Sequence, residues 1–161
     1  MQEPDKKSTK QEKTKILFIV NPFSGVGHKK AIEEHLKRML DTSKFHYDLK
    51  YTEGPHHATQ LSHEGLKNGY KVIVAVGGDG TVNEVGRPLV GSDAILAIIP
   101  SGSGNGLARH LHIPMVTDHA IAVINRMNVR KIDTVIANDQ FFLSIAGVGF
   151  DAFVAKKFAR Q

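Results

Sequence analysis

Apolar positions in this chain follow two rhythms that take turns. Residues 15–20 (KILFIV), 72–76 (VIVAV) and 94–99 (AILAII) are short continuous apolar runs, rich in branched side chains. Such runs mark strands covered on both faces. Phe45, Tyr47, Leu49 and Tyr51 instead alternate with polar residues, the pattern of a half-exposed strand. Between these segments the spacing becomes helical. Ala31, Ile32, Leu36, Met39 and Leu40 form one apolar stripe, Ala58, Leu61, Gly65 and Leu66 a second, and Ala120, Ile121, Ile124 and Met127 a third. Pro55 suits the first turn of the second helix and Asn68-Gly69 its stop. A further helix follows Gly80-Thr81, a short one carries Leu107, Ala108 and Leu111, and the last is entered at Thr117 or Asp118.

The pattern changes after about Asn128. Residues 132–137 and 140–146 flank Asn138-Asp139 and read as a hairpin with a two-residue turn. The predicted fold is therefore α/β, a mostly parallel sheet flanked by helices over residues 15–128. The first antiparallel strands of an incomplete β domain follow over 129–161. Residues 1–14 have almost nothing to bury and read as a disordered tail or an added leader.

Composition narrows the class. The chain has 161 residues, 41% of them apolar and 23% charged, which suits a soluble globular domain with a real core. It has no cysteine, which excludes disulfides, zinc–thiolate sites and a thiol nucleophile and fits a reducing compartment. The net charge of +5 suits phosphates or an anionic membrane surface. Aromatics are few and not interleaved with a basic stripe, so nucleic acid is not an expected partner. No apolar run approaches the ~20 residues of a membrane span, and the polar N-terminus is not a signal peptide. The expectation is a cytoplasmic protein.

Three glycine-rich turns carry the candidate chemistry: NPFSGVG from Asn21, GGDGT from Gly77 and PSGSGNG from Pro100, each after a predicted strand. In open α/β sheets ligands bind at the carboxyl ends of the strands, so the three can converge on one crevice. A buried strand that breaks into glycines and restarts as a helix leaves backbone N–H groups bare at a helix N-terminus, a ready anion site. Thr81 and Glu84 have the spacing of a capping box. A cap does not account for Asp79 among three glycines. A carboxylate beside a phosphate cradle repels the phosphate unless a metal, a hydroxyl or a proton transfer gives it a task.

Other motifs fail. Gly25-Val26-Gly27 opens like a dinucleotide fingerprint, but Lys30 stands where its third glycine belongs. There is no Walker sequence, and GVGFDA at 147–152 leaves no room for the acidic residue some ~20 positions on. The nine histidines are scattered, and neither His56-His57 nor His110 with His112 is completed by a carboxylate as a metal set. No GxSxG elbow is present, which argues against a nucleophilic hydrolase.

NPFSG at 21–25, GGDGTVNEV at 77–85 and PSGSGNGLAR at 100–109, in this order, resemble the diacylglycerol kinase catalytic-domain family, which includes bacterial lipid kinases, sphingosine kinases and ceramide kinases. GVGFDA resembles a stretch early in the second domain of bacterial members. The resemblance implies a nucleotide-binding domain of the NAD-kinase and phosphofructokinase kind. It implies ATP and Mg²⁺ as cofactors and a membrane lipid hydroxyl as acceptor, reached by peripheral contact at the inner face of the membrane. It puts Asn21, Ser24, Gly25 and Thr52 on the nucleotide side of the cleft. Gly77, Gly78, Asp79, Gly80, Thr81 and Asn83 then line the ATP phosphates, with Gly102, Ser103 and Asn105 in the third loop. Asp79 is the implied catalytic residue, polarising a hydroxyl or helping to place the metal; the other metal ligands stay open.

Two departures qualify this. Bacterial diacylglycerol kinases often read GTxND where this chain has Gly102-Ser103-Gly104-Asn105-Gly106, a serine form closer to sphingoid or ceramide kinases, so the acceptor lipid stays open. The family's second domain carries an Asp-Gly-Glu stretch with the usual candidate for the general base, and no such stretch occurs here. The expectation is a fragment, by design or by nature, inactive alone, whose unpartnered strand at 140–150 invites a homodimer. The alternatives are an NAD-kinase-type or other small-molecule kinase, and a non-catalytic nucleotide-binding module.

Overall fold

The computed structural model describes residues 12–24, 29–143, 149, 152–154 and 157. Four strands, β1 (Thr14–Val20), β2 (Phe45–Tyr51), β3 (Val72–Gly77) and β4 (Ile95–Pro100), pair in parallel in the order β2-β1-β3-β4. β1 therefore lies inside the sheet, in register with β2 from Thr14↔Phe45 and with β3 from Ile16↔Val72. Its continuous apolar run follows from this place. Ile16, Phe18 and Val20 enter one core layer and Leu17 and Ile19 the other. Fully burying side chains of this size contributes about 1.5–3 kcal/mol each.

The helices share out the two layers. α1 (Lys29–Met39) and α5 (Thr117–Arg126) cover one face through Ile32, Leu36, Ala120, Ile121 and Ile124. α2 (His57–Lys67), α3 (Asp79–Gly86) and α4 (Gly106–His110) cover the other through Ala58, Leu61, Val82, Val85, Leu107 and Ala108. The alternation in β2 is also explained. It is an edge strand of the sheet, with Phe45 buried and Tyr47, Leu49 and Tyr51 half-buried, and the Tyr47 ring packs edge-on against Phe18 at 6.0 Å. α2 stops at Asn68-Gly69 as expected. Gly69 takes φ 76° and donates to Leu66 O, while Tyr70 N–H closes on Gly65 O. That pairing satisfies the last carbonyls of the helix.

The hairpin is present as β5 (Val135–Ala137) antiparallel to β6 (Gln140–Phe142). Asn138 and Asp139 both have positive φ, 48° and 61°, the geometry a two-residue turn needs to match the twist of its strands. The expected continuation over residues 144–146, the GVGFDA stretch apart from Gly149 and Ala152, and the tail through residue 11 lie outside the described residues. Among the described residues, no helix is long and apolar enough to cross a membrane.

Two local expectations are corrected. The capping box at Thr81 and Glu84 does not form: α3 starts at Asp79, its N-cap is Gly78, and no side chain caps it. The turn out of β3 is so tight that Thr81 already lies inside the first helical turn, where its Oγ1 takes the Asn21 amide, while Glu84 Oε1 accepts the His56 N–H. Pro55 does not enter a helix either. His56, at φ 63°, is the N-cap of α2, and the helix begins at His57.

Candidate functional site

All four parallel strands end on the same side of the sheet, so the loops after β1, β2, β3 and β4 share one edge. The strand order changes direction between β1 and β3: from β1 the chain first builds outward to β2 and then returns past β1 to β3. The loops leaving such a switch point diverge and leave a crevice. The loop at Asn21 and the loop at Gly77–Asp79 flank it.

Side chains and backbone knit these loops together. Asn21 Nδ2 donates to Thr81 Oγ1 at 3.2 Å, and its Oδ1 accepts the Phe23 N–H at 3.0 Å. Ser24 Oγ lies 2.8 Å from Asn21 O and donates to it, so in the 2.7 Å contact between Ser24 Oγ and Ser101 Oγ the donor is Ser101. The first loop thus reaches both the second and the third. Thr52 is buried at the end of β2, its N–H held by Val20 O.

The second and third loops touch backbone to backbone. A Cβ on Gly102 would sit 2.5 Å from Gly78 Cα, a separation that real Cβ atoms do not show, so only glycine permits the approach. Asp79 sits at the first position of α3 with its side chain across this contact. Its Oδ1 accepts the Gly106 N–H at 2.7 Å, and a Cβ on Gly104 would lie 2.8 Å from its Oδ2. Asn105 is buried in the left-handed conformation at φ 54°, with its amide accepting from Gly102 N and donating to Gly102 O. It holds the third loop folded against the second. The N–H groups of Asp79, Gly80 and Thr81 precede the first bond of α3, from Val82 N to Gly78 O, and among the described residues they have no backbone acceptor.

The structure thus brings together Asn21, Ser24, Gly78, Asp79, Thr81, Gly102 and Asn105, with Thr52 and Gly77 at adjoining strand ends. Gly80 and Ser103 are exposed on the second and third loops. Asn83 turns the other way: its Nδ2 donates to Phe141 O in the hairpin, and its buried Oδ1 has no partner among the described residues. Gly25 lies outside the described residues.

Sequence reasoning passed over two residues. Ser101 is the buried serine of the third loop and makes the contact with Ser24 that exposed Ser103 does not. Arg109 donates from Nε to Gly104 O, which keeps its exposed guanidinium beside the glycine loop. Its distance of five residues from Gly104 is one helical turn and a cap, so the spacing in PSGSGNGLAR contains the signal once the helix start is known.

Fold and site together define a doubly wound α/β domain whose glycine loops meet around one carboxylate. The model of the diacylglycerol kinase catalytic domain matches residues 15–137, and the chain belongs to that family. It is 35% identical over 139 residues to a protein of Bacillus subtilis named diacylglycerol kinase, covering 82% of this chain and 45% of that one. It is 33% identical over 159 residues to an uncharacterized protein of Synechocystis, covering 89% of this chain and 36% of the other. A crystal structure of a diacylglycerol kinase from Bacillus anthracis superposes with a TM-score of 0.69 at 31% identity, covering 80% of this chain and 45% of that one. The chain spans between a third and a half of the length of these relatives.

Proposed function

We propose that this domain binds ATP with Mg²⁺ and supplies the nucleotide half of a lipid kinase active site. The γ-phosphate is passed to the hydroxyl of a membrane lipid, either diacylglycerol or a sphingoid or ceramide-like lipid. The observation that carries the reading is the placement of Asp79: a carboxylate on the first turn of α3, beside free N–H donors, at the junction of three glycine loops. Phosphoryl transfer asks mainly for positioning and charge stabilisation. The N–H groups of Asp79, Gly80 and Thr81 receive phosphate oxygens, and glycines keep the cradle clear of side chains. With Oδ1 of Asp79 pinned by Gly106, Oδ2 is the atom left to polarise the acceptor hydroxyl or to hold a metal.

The donor set fits Mg²⁺. Among the described residues no three His, Asp or Glu side chains are grouped to hold a metal. Mg²⁺ is commonly bound through one or two carboxylates plus phosphates and water, so Asp79 suffices as its protein ligand here. When bound, the ion would offset charge on the phosphate oxygens.

Hydrogen exchange tests the reading directly. ATP with Mg²⁺ is expected to protect the amides near Gly80 and Ser103 and the turn at Gly25; a folded sample that binds no nucleotide overturns it. The remaining length of the relatives is proposed to carry the general base, so the 161-residue chain alone is expected to bind nucleotide with little turnover. In a longer protein containing this domain, Asp79→Asn is expected to lower kcat by about 10²–10⁴-fold with ATP binding nearly intact.

Two further proposals follow from charge and exposure. The +5 net charge draws the protein to the anionic inner face of the membrane from the cytoplasm. The exposed Val135 and Ile136 of the hairpin support self-association of this chain, checked by sedimentation and expected to be suppressed by Ile136→Lys.

A further inference from the structure

α3 presents Asn83 and Gly86 to the hairpin, three positions apart and so on one face of the helix. Gly86 supplies bare backbone, and Leu143 packs on it so closely that a Cβ there would overlap the leucine. Asn83 supplies the polar contact, donating from Nδ2 to Phe141 O at 3.2 Å. Among the described residues this is the one hydrogen bond between α3 and the hairpin.

That amide is only half used. Its Oδ1 is buried and has no partner among the described residues. A buried acceptor without a donor is costly, and most are paired. The hairpin register shows which donor fits. The two-residue turn makes Ala137 and Gln140 the hydrogen-bonded pair beside it, so Ile136 and Phe141 form the next, non-hydrogen-bonded pair. The N–H and C=O of Phe141 therefore point away from β5, which is how Asn83 reaches the carbonyl. Backbone groups two residues apart leave a strand on the same side, so the Leu143 N–H follows the Phe141 carbonyl. Among the described residues that N–H has no acceptor. A side-chain amide that takes one residue's carbonyl and the N–H two residues on copies one residue of a parallel ladder.

The consequence for the site runs through the helix. Asn83 follows Asp79 by four positions, so the two stand on the same side of α3. Asp79 Oδ1 is held there by the Gly106 N–H at 2.7 Å. Thr81, bonded to Asn21, and Glu84, bonded to His56, hold the other side. The bonds at Asp79 and Asn83 lie one turn apart and together resist rotation of α3 about its axis. Rotation of α3 would swing Asp79 Oδ2.

We propose that Asn83 is a positioning residue. Its amide pairs with both Phe141 O and Leu143 N–H, and through the rotation of α3 it sets the direction of Asp79 Oδ2. The pairing stands on the hairpin alone; the use of Oδ2 rests on the kinase reading above. This role differs from the phosphate contact that the family resemblance implies for Asn83.

The test begins with amide exchange and the amide spectrum of the 161-residue chain. The Leu143 amide is expected to be protected, and Asn83→Leu, close in volume, to speed its exchange on the order of tenfold. Asn83→Asp keeps the acceptor and is expected to keep that protection. Val74 and Ile98 in the sheet report that each variant stays folded. The Gly106 amide, bonded to Asp79 and not to Asn83, is expected to shift in Asn83→Leu. In a longer protein containing this domain, Asn83→Leu is expected to lower kcat about tenfold with KM for ATP within about threefold. Fast Leu143 exchange in the unaltered chain, or equal exchange in Asn83→Leu, overturns the pairing. An unmoved Gly106 amide, or a KM that rises in step with the loss of kcat as for a nucleotide ligand, overturns the positioning role. An unaltered chain that binds no ATP overturns the nucleotide reading instead, and the Leu143 and Gly106 amides still decide on Asn83.

Discussion

At the scale of the residue, the site depends on what is missing from side chains as much as on what is present. Gly102→Ala would drive a Cβ to 2.5 Å from Gly78 Cα, backbone against backbone, where no side chain can rotate away. Overpacking of this kind costs about 1–3 kcal/mol. The expected outcome is a lower melting temperature together with loss of ATP affinity, read by calorimetry. Gly54→Ala, where nothing lies within 4 Å of the new Cβ, serves as the control and should change neither. The roles of individual polar residues were harder to read than their presence. Thr81 and Glu84 fit a capping box by spacing, yet the turn after β3 closes sooner and commits Thr81 to Asn21 and Glu84 to His56. Ser101 and Ser103 are equivalent in a string of serines and glycines, and only burial separates them.

Elements act on the site through their connections. α3 carries Asp79 at its first position and reaches the hairpin through Asn83 one turn further on, so the two sheets are linked through the helix that holds the carboxylate. The hairpin turn itself is suboptimal. Asn138-Asp139 adopts positive φ at both positions, and glycine is favoured over aspartate at the second. Asp139→Gly is expected to stabilise the hairpin by a few tenths to about 1 kcal/mol, seen as slower amide exchange in β5 and β6. On the opposite layer, α1 and α5 are clamped by Asp118. His35 Nδ1 donates to its Oδ1 at 2.5 Å and Arg38 to its Oδ2 at 2.6 Å. The His35 bond, then Arg38, hold the Asp118 carboxyl below its ordinary 3.8 against an opposing effect of burial. A carboxyl depressed in the folded state contributes stability above its unfolded value, and that contribution disappears as pH falls below it. Asp118→Asn should therefore lower stability at neutral pH and flatten the acid limb of a urea-denaturation series below about pH 4.

For the whole molecule, the alkaline limit has a definite origin. Burial, then the bond to Glu33, pushes Tyr51 up to about 12, and the bond to Asp48, then burial, does the same for Tyr70, from an ordinary 10.0. Both folded values exceed the unfolded one. Their stabilising contribution is therefore complete below pH 10 and is lost as pH rises toward 12. The stability of the double variant Tyr51→Phe, Tyr70→Phe should be nearly flat over that window, whereas the unaltered chain declines, as measured by urea midpoints. The two tyrosines tie β2 to α1 and to the strand-leading turn at Tyr70, so their ionisation loosens the edge of the sheet rather than the crevice.

The sequence by itself determined the architecture and the location of the chemistry. Continuous apolar runs separated by helical stripes admit little besides a parallel sheet covered on both faces, and glycines at strand ends admit little besides tight turns. Both follow from local geometry and burial, which composition and spacing record. Only the tertiary structure decided the pairing of polar groups: Ser24 with Ser101, Asn21 with Thr81, Asp79 with Gly106, Asn83 with Phe141. These partners are 27 to 77 residues apart. Nothing in the periodicity encodes which hydroxyl meets which amide. The order β2-β1-β3-β4 sets it, by bringing the ends of strands distant in sequence to a common edge.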